Sequence, residues 1–437
     1  MNKNFNIKFI SDDTNYLDSD DVFIAKKGKN IKLENLIQLA KKNNPKLIIS
    51  NVKNNDTIYI KNINKFENKI IKNYKVKPTI IGVTGTNGKT TTSTIIYSIL
   101  KQNNKNVMLI GSNGIYFENI KFPNRNTTPS KLSILYLINK YLDNESYLVI
   151  ELSSQSYKRI KTLKLDYLIF TNLSKEHLDT HKFMFRYFNA KKRIIKLLKN
   201  KENLFINIDD TYGKKLVKKY KKCQKYSLKD LEIISLSPIE YKYENNQIRT
   251  KLSGKFNIYN LHSAFLLVNK ILDSNRIINS INKIDIIEGR NNIYEYKNNI
   301  IVIDYAHTPY SFENIIEHYS NLKFNNLYVL FGFGGNRDKY KRKDMLNIAL
   351  KYTSNVILTE DNSRNESFIK ILNTALSKDF NNLIVIQNRK EAINYAITKL
   401  NNNDCLLILG KGNEENIYKN NQIIKHNDYE EVKKWLI

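Results

Sequence analysis

Short apolar runs alternate with longer amphipathic stretches from Thr79 onward. The runs Thr79–Thr84, Asn106–Ile110, Tyr147–Glu151, Tyr167–Thr171 and Leu204–Ile208 are nearly continuous in apolar residues, which predicts strands buried on both faces. The segments between them read as helices, so residues 78–288 predict a parallel sheet covered on two sides. A second series repeats the alternation in residues 289–437: Ile300–Asp304, Leu327–Phe331, Val356–Thr359, Leu383–Ile386 and Leu406–Leu409. Residues 1–77 carry shorter runs at Ile7–Ile10, Val22–Ile24, Leu47–Ile49 and Thr57–Ile60, with one helix over Leu33–Lys42. Pro78 marks the boundary, because the residue before a proline favours extended backbone. The stretch Ile239–Leu252 alternates as a short antiparallel pair.

The polar clusters fall at the carboxyl ends of these strands, where open α/β sheets bind ligands. The most informative follows Thr79–Thr84: Gly85-Thr86-Asn87-Gly88-Lys89-Thr90-Thr91. Gly85 and Gly88 let backbone N–H groups turn inward, and a helix expected from Thr90 presents its positive end to an anion. Lys89 is suited to the outer phosphates of a nucleotide and the Thr90 hydroxyl to Mg²⁺. The spacing is Gly-x-x-Gly-Lys-Thr, with Val83 where the commoner phosphate loop has its first glycine. The expected fold is therefore α/β in three domains. A small N-terminal α/β domain (1–77) and a Rossmann-like C-terminal domain (289–437) flank a central parallel-sheet P-loop domain (78–288).

Composition narrows the field. The chain has 437 residues and a formal charge of +29. Its lysines are dispersed through every segment without aromatic interleaving, so a nucleic-acid partner is not expected. Lys, Asn and Ile rise together, as A/T-rich codon usage would produce. Two distant cysteines, Cys223 and Cys405, suggest a reducing compartment without disulfides or a metal cluster. The N-terminus lacks an apolar signal core and no run reaches membrane-spanning length, so a cytoplasmic protein without membrane insertion is expected. A monomer is the expected state.

Glu151 ends an apolar run and could present a carboxylate to Mg²⁺, which prefers oxygen ligands. His177 sits in Thr171-Asn172-Leu173-Ser174-Lys175-Glu176-His177-Leu178-Asp179, and taken alone reads as a loop histidine. Lys191, beside Lys192, reads on its own as a solvated lysine. Thr308-Pro309 reads as a helix cap with proline at the first helical position.

In order and spacing, several of these motifs together resemble the Mur ligases, and among them those adding the third residue of the peptidoglycan stem peptide. The matching segments are the phosphate loop, Thr127-Thr128-Pro129, Glu151-Leu152-Ser153-Ser154, the Thr171–Asp179 run, Gly289-Arg290 and Asp304-Tyr305-Ala306-His307-Thr308-Pro309. Beyond them come Asp361-Asn362-Ser363-Arg364 and Gly410-Lys411-Gly412-Asn413-Glu414.

The resemblance implies an ATP-dependent ligase that activates the D-glutamyl carboxylate of a UDP-N-acetylmuramoyl dipeptide as an acyl phosphate for capture by an amine. It assigns catalysis to Lys89, Glu151, His177 and Lys191. Mg²⁺ would be held by Thr90, Glu151, His177 and a CO₂-derived carbamate on Lys191. It gives nucleotide contacts to the loop residues Gly85–Thr91, Asn257, Asn260, Arg290, Asp304 and His307. Muramoyl-substrate contacts fall to Thr14, Thr127, Thr128, Ser154 and Arg159. The amino-acid pocket takes Arg337, Asp361, Asn362, Ser363, Arg364, Gly410 and Glu414. Paired arginines suit a distal carboxylate and Glu414 a distal ammonium, which favours meso-diaminopimelate over L-lysine. Departures from the family pattern are Ser363 for proline, Asn336 for aspartate, Asn413 for histidine, Gln155 for histidine and Asn15 for arginine. The alternatives are an L-lysine-adding Mur ligase, then a folylpolyglutamate synthase-like ligase or a non-catalytic nucleotide-binding scaffold.

Overall fold

A computed structural model describes residues 9–26, 32–124, 126–161, 163–284, 286–376 and 383–436. Three parallel or mostly parallel sheets follow one another along the chain. The first has four parallel strands, Ile10–Ser11, Val22–Ala25, Leu47–Ser50 and Ile58–Tyr59, in sequence order. Helix Leu33–Lys41 covers one face. Residues Ile7 and Lys8 of the expected first strand lie outside the described residues.

The central sheet has eight strands in the order Gln224–Tyr226, Leu204–Asn207, Tyr167–Phe170, Thr79–Thr84, Tyr147–Leu152, Val107–Gly111, Gly114–Phe117 and Ile120–Phe122. The first six run parallel, and the last two fold back as antiparallel edge strands. Strand periodicity sorts their side chains between two cores. Leu148, Ile150 and Leu152 pack with helices Lys131–Tyr141 and Met184–Ile194, whereas Val149, Ile81 and Val83 pack against helices Lys89–Gln102 and Lys255–Val268. The expected antiparallel pair is a three-stranded sheet, Glu232–Leu236, Ile239–Tyr243 and Asn246–Thr250. Its first strand has no inward alternation in the sequence, since Ile233, Ile234 and Leu236 are all exposed.

The third sheet orders Asn292–Tyr296, Asn299–Asp304, Cys405–Leu409, Leu327–Phe333, Asn355–Glu360 and Ile384–Val385. All are parallel except the first, which pairs antiparallel with Asn299–Asp304. The return of Cys405–Leu409 between Asn299–Asp304 and Leu327–Phe333 makes a switch in strand order, and Asp304 and Gly410 mark the strand ends there. Thr308 caps helix Pro309–Ser320 with a capping box, and Pro309 occupies its first position, as expected.

The first unit docks on helix Lys131–Tyr141 through polar contacts. Asp12 accepts from the Ser130 and Ser133 hydroxyls at 2.7 and 2.6 Å, and Asp21 accepts from Lys140 Nζ at 2.7 Å and from Tyr136. No helix among the described residues is long and apolar enough to cross a membrane.

Candidate active site

The phosphate loop is built where Thr79–Thr84 stops. Gly88 has φ +83°, and a Cβ there would lie 2.3 Å from Asn260 Oδ1; one on Gly85 would lie 1.8 Å from Thr171 Oγ1. Both positions therefore need glycine for close approach. The helix begins at Lys89, one residue earlier than expected. Thr171 and Asn172 hold the loop from the neighbouring strand end: Asn87 N donates to Asn172 Oδ1 at 3.0 Å, and Thr171 Oγ1 donates to Asn87 O at 2.7 Å. Lys89 Nζ curls back to the Gly85 and Thr86 carbonyls at 3.1 and 2.6 Å, and burial lowers its pKa.

Glu151 is buried at the next strand end. Its carboxylate accepts from Thr90 Oγ1 at 3.2 Å and from Ser112 N at 2.9 Å, and Arg290 Nη2 donates to Thr90 Oγ1 at 3.2 Å. The Arg290 guanidinium stacks 4.4 Å over the Tyr305 ring. Hydroxyl and carboxylate oxygens beside a glycine cradle suit Mg²⁺ on a nucleotide phosphate, with phosphate oxygens and water completing its shell. Among the described residues no group of three or more His, Cys, Asp or Glu side chains stands close enough to hold a metal ion.

Lys191 is 1% exposed, and its Nζ donates to Gly85 O at 2.6 Å, directly behind the loop. Burial, then the charge of Lys89, lowers its pKa well below the ordinary lysine value. It is a core residue of the loop's back wall, not a solvated lysine. His177 has φ +55°, and its ring lies edge-on to Tyr187 at 5.9 Å, while the Tyr187 hydroxyl bonds Thr86 Oγ1 at 3.1 Å. Thr90 and Glu151 are thus brought into contact, whereas His177 contacts Glu176 and Tyr187 rather than Glu151.

Glu176, which in the sequence is marked only by its motif, joins the central sheet to the C-terminal one. Its Oε1 pairs with His307 Nε2 at 3.0 Å. Burial pushes its carboxyl up, but the His307 hydrogen bond and nearby cations outweigh burial and hold it well below the usual carboxylate range.

Two cavities meet at Tyr305 and His307, which line both. The first contains the loop residues Thr86–Thr91 with Ser112, Asn257, Asn260, Arg290 and Asp304. Asn260 Nδ2 donates to Asn257 Oδ1 at 3.1 Å. Asp304 already accepts two backbone N–H groups, from Asn291 at 2.7 Å and Ala306 at 2.6 Å, so it also fixes the turn after its strand.

The second cavity contains Glu176, His177, Arg337, Lys341, Asp361, Asn362, Arg364, Gly410 and Glu414, among others. Arg364, at φ +54°, is held by the Gly335 and Asn362 carbonyls at 2.9 and 3.0 Å. Burial and then the charge of Arg337 lower its pKa, with Asp361 and Glu414 opposing the shift, and Arg337 Nη1 itself lies 3.9 Å from Asp179 Oδ2. Glu414 accepts from Asn362 Nδ2 at 2.8 Å and from buried Lys411 at 2.9 Å. A buried, bidentate Arg342–Glu366 pair holds the facing loop, with Glu366 also accepting from Asn336 N at 2.8 Å and held at about 2 by Arg342. Ser363 is buried behind this wall, its hydroxyl without a hydrogen-bond partner among the described residues, and it does not line the cavity.

The residues expected to meet the muramoyl substrate line neither cavity, although Thr127 reaches Ser112 at the edge of the first. Thr128 Oγ1 donates to Glu151 O at 2.8 Å, Arg159 Nη1 donates to Thr128 O at 3.2 Å, and Thr127 bonds Ser112 at 3.0 Å. Ser154 bonds His181 at 2.9 Å, and Thr14 is buried in the first unit.

Comparison with known proteins fits this arrangement. The family model "Mur ligase middle domain" matches residues 83–268, and "Mur ligase, glutamate ligase domain" matches residues 289–412. The chain belongs to the Mur ligase family. One Mur ligase relative, from Caldanaerobacter subterraneus subsp. tengcongensis, is 32% identical over 391 residues, covering 85% of this chain and 81% of its own. A Fusobacterium nucleatum relative is 32% identical over 430 residues, covering 90% and 86%. Both are UDP-N-acetylmuramoyl-L-alanyl-D-glutamate–2,6-diaminopimelate ligases. A solved structure of a ligase of that name superposes with TM-score 0.59 at 25% identity, covering 98% of this chain and 94% of that one. The MurF ligase from Thermotoga maritima in complex with ADP shares the fold, with TM-score 0.69 at 20% identity over 92% and 93%.

Proposed function

We propose that this Mur ligase joins meso-diaminopimelate to the D-glutamate of UDP-N-acetylmuramoyl-L-alanyl-D-glutamate, using ATP, in peptidoglycan synthesis. The observation that carries this reading is the pair of cavities meeting at Tyr305 and His307. One is built for nucleotide phosphates, and the other sets two arginines near an acid-lined wall. Relatives bearing that name cover most of the chain.

The loop N–H groups and Lys89 hold the phosphates, Asn257 and Asn260 line the nucleotide cleft, and Arg290 bridges toward Thr90. Thr90 and Glu151, with His177 and a carbamate on Lys191 brought in on binding, would hold Mg²⁺, which when bound would supply positive charge against the approach of a carboxylate to a phosphate. The D-glutamyl carboxylate attacks the γ-phosphorus, the bond to ADP breaks, and an acyl phosphate forms. The incoming amine then adds to the acyl carbon, loses a proton, and phosphate departs. To form the carbamate, Lys191 Nζ bonds to the carbon of CO₂, an electron pair moves to oxygen, and an N–H proton leaves to water. Buried, the lysine favours its neutral and nucleophilic form.

Thr14, Thr127, Thr128, Ser154 and Arg159 serve the muramoyl substrate. Arg337 and Arg364 take the distal carboxylate, with Asp361, Asn362, Gly410 and Glu414 receiving the distal ammonium. Ser363 supports that loop from behind. Domain limits of 1–77, 78–288 and 289–437, a cytoplasmic location, a monomeric state and independence of nucleic acid and membrane complete the reading.

ADP release with the muramoyl dipeptide nucleotide is expected to be stimulated by meso-diaminopimelate and much less by L-lysine or folate. Arg364→Ala is expected to raise KM for diaminopimelate about 10–100-fold, the loss of one charge-assisted pair. An unchanged KM, or a preference for lysine, would overturn the assignment of the amino acid.

A further inference from the structure

One cation of the amino-acid cavity has no role in the reading above. Lys341 lies in the first turn of helix Tyr340–Tyr352. The helix N-cap, Lys339, makes no side-chain cap bond, and the first turn holds no acidic residue. Asp338 Oδ1 accepts from the first helical N–H, that of Tyr340, at 3.0 Å, so the helix end is already capped and the Lys341 ammonium is what this turn offers the cavity. Lys341 Nζ donates to the His307 carbonyl at 2.8 Å and forms no ion pair among the described residues. An ammonium has three hydrogens to donate, so two are available to a ligand. Burial lowers the Lys341 pKa despite attraction from Glu176, Asp361 and Asp338. A group in that condition gains when a new anion arrives.

Two features identify the anion. Lys341 lines the amino-acid cavity and not the nucleotide cleft, where Lys89 already serves the phosphates. It also sits at the His307 end, where the two cavities meet, whereas Arg364 is tied to the far loop through Tyr418 O at 2.8 Å. An amino acid entering with its attacking amine toward the nucleotide cleft carries its own α-carboxylate at that near end. We propose that Lys341 binds the carboxylate adjacent to the attacking amine, and so fixes which end of the incoming amino acid reacts. This rests on the ligase reading and assigns its pocket a second anionic anchor.

The test compares kcat/KM for diaminopimelate and its two monoamides, in which either the near or the far carboxylate is carried as carboxamide. Lys341→Met is expected to lower kcat/KM about 10–100-fold for diaminopimelate and the far monoamide, chiefly through KM. The near monoamide should change less than about twofold, which also shows that the variant folds. Lys341→Arg should retain most of the discrimination. Equal losses for all three substrates would overturn the proposal and leave Lys341 a purely structural role. Should the wild type prefer lysine, lysine and its α-amide form the pair, so the choice of amino acid and the role of Lys341 are judged separately.

Discussion

Lys191→Arg is expected to be as inactive as Lys191→Ala, with turnover down by about 10³-fold or more, the scale of losing a group that holds charge at the reacting centre. Arginine preserves a positive charge and a donor for the Gly85 carbonyl, which Lys191 Nζ reaches at 2.6 Å. It cannot become a carbamate. If the role of Lys191 were to brace the loop or balance charge, arginine would retain much of the activity and alanine would not. The buried amine titrates below an ordinary lysine, first by desolvation and then by repulsion from Lys89. Falling pH protonates it and competes with CO₂ capture, so activity on the acid side should recover with added bicarbonate in the wild type only. A carbamate carbon resonance in wild type supplied with ¹³C-bicarbonate, absent from both variants, would locate the modification. Substantial turnover by Lys191→Arg would remove the carbamate from the mechanism.

Sequence was most informative where one physical demand fixed several residues together. Strands buried on both faces require unbroken apolar runs, so Thr79–Thr84, Tyr147–Leu152 and Leu327–Phe333 stand close to their expected positions. Edge strands carry no such demand. Gly114–Phe117 and Ile120–Phe122 form an antiparallel rim, and Ile120 is exposed, so periodicity could not separate them from a loop. Asn416–Lys419 and Gln422–Lys425 form a two-stranded ribbon tied to the rest of the domain by a single-residue bridge at Arg364, and the latter strand is exposed throughout.

The site divides on the same principle. Gly85, Gly88, Lys89 and Thr90 were legible because phosphate recognition needs a glycine turn, a cation and a helix start in one short segment. Lys191 was not legible from its own neighbourhood, where Lys192 and Arg193 resemble a solvated face; only the tertiary contact with Gly85 distinguishes it. Glu176 depends on His307, 131 residues away, for its partner. Ser112 and Lys341 belong to no local pattern, and each acquires meaning from a distant strand end. Asp304 shows the converse: its place at a strand end was clear, but its two backbone donors, which tie the turn together, were not.

Arg389→Met should cost about 3–5 kcal/mol of C-terminal domain stability, because it strands a carboxylate in the interior. The Arg389 and Asp428 side chains are both 0% exposed, joined by bonds of 2.8 Å from Nε and 2.7 Å from Nη2. His426 adds a bond of 2.8 Å to Asp428, and Arg389 also donates to the Leu409 carbonyl at 3.1 Å. Burial alone would push the Asp428 carboxyl up, but Arg389 outweighs it and holds the group well below the usual carboxylate range. The pair's contribution is therefore present above the unfolded aspartate pKa of about 4 and is lost as pH falls through the depressed folded value. The stability gap between wild type and Arg389→Met should accordingly be widest near neutrality and narrow in acid, as read by urea unfolding across pH. The same guanidinium helps, after Lys411, to hold the Asp361 carboxyl down against its burial. Arg389→Met with Asp428→Leu should recover most of the stability, since an apolar pair replaces an unpaired charge. It should not recover the KM for the amino acid, because Asp361 still lacks that cation. A loss of less than about 1 kcal/mol in the single variant would remove the pair as a stabilising core element, and recovery of KM in the double variant would remove it as a support for the pocket.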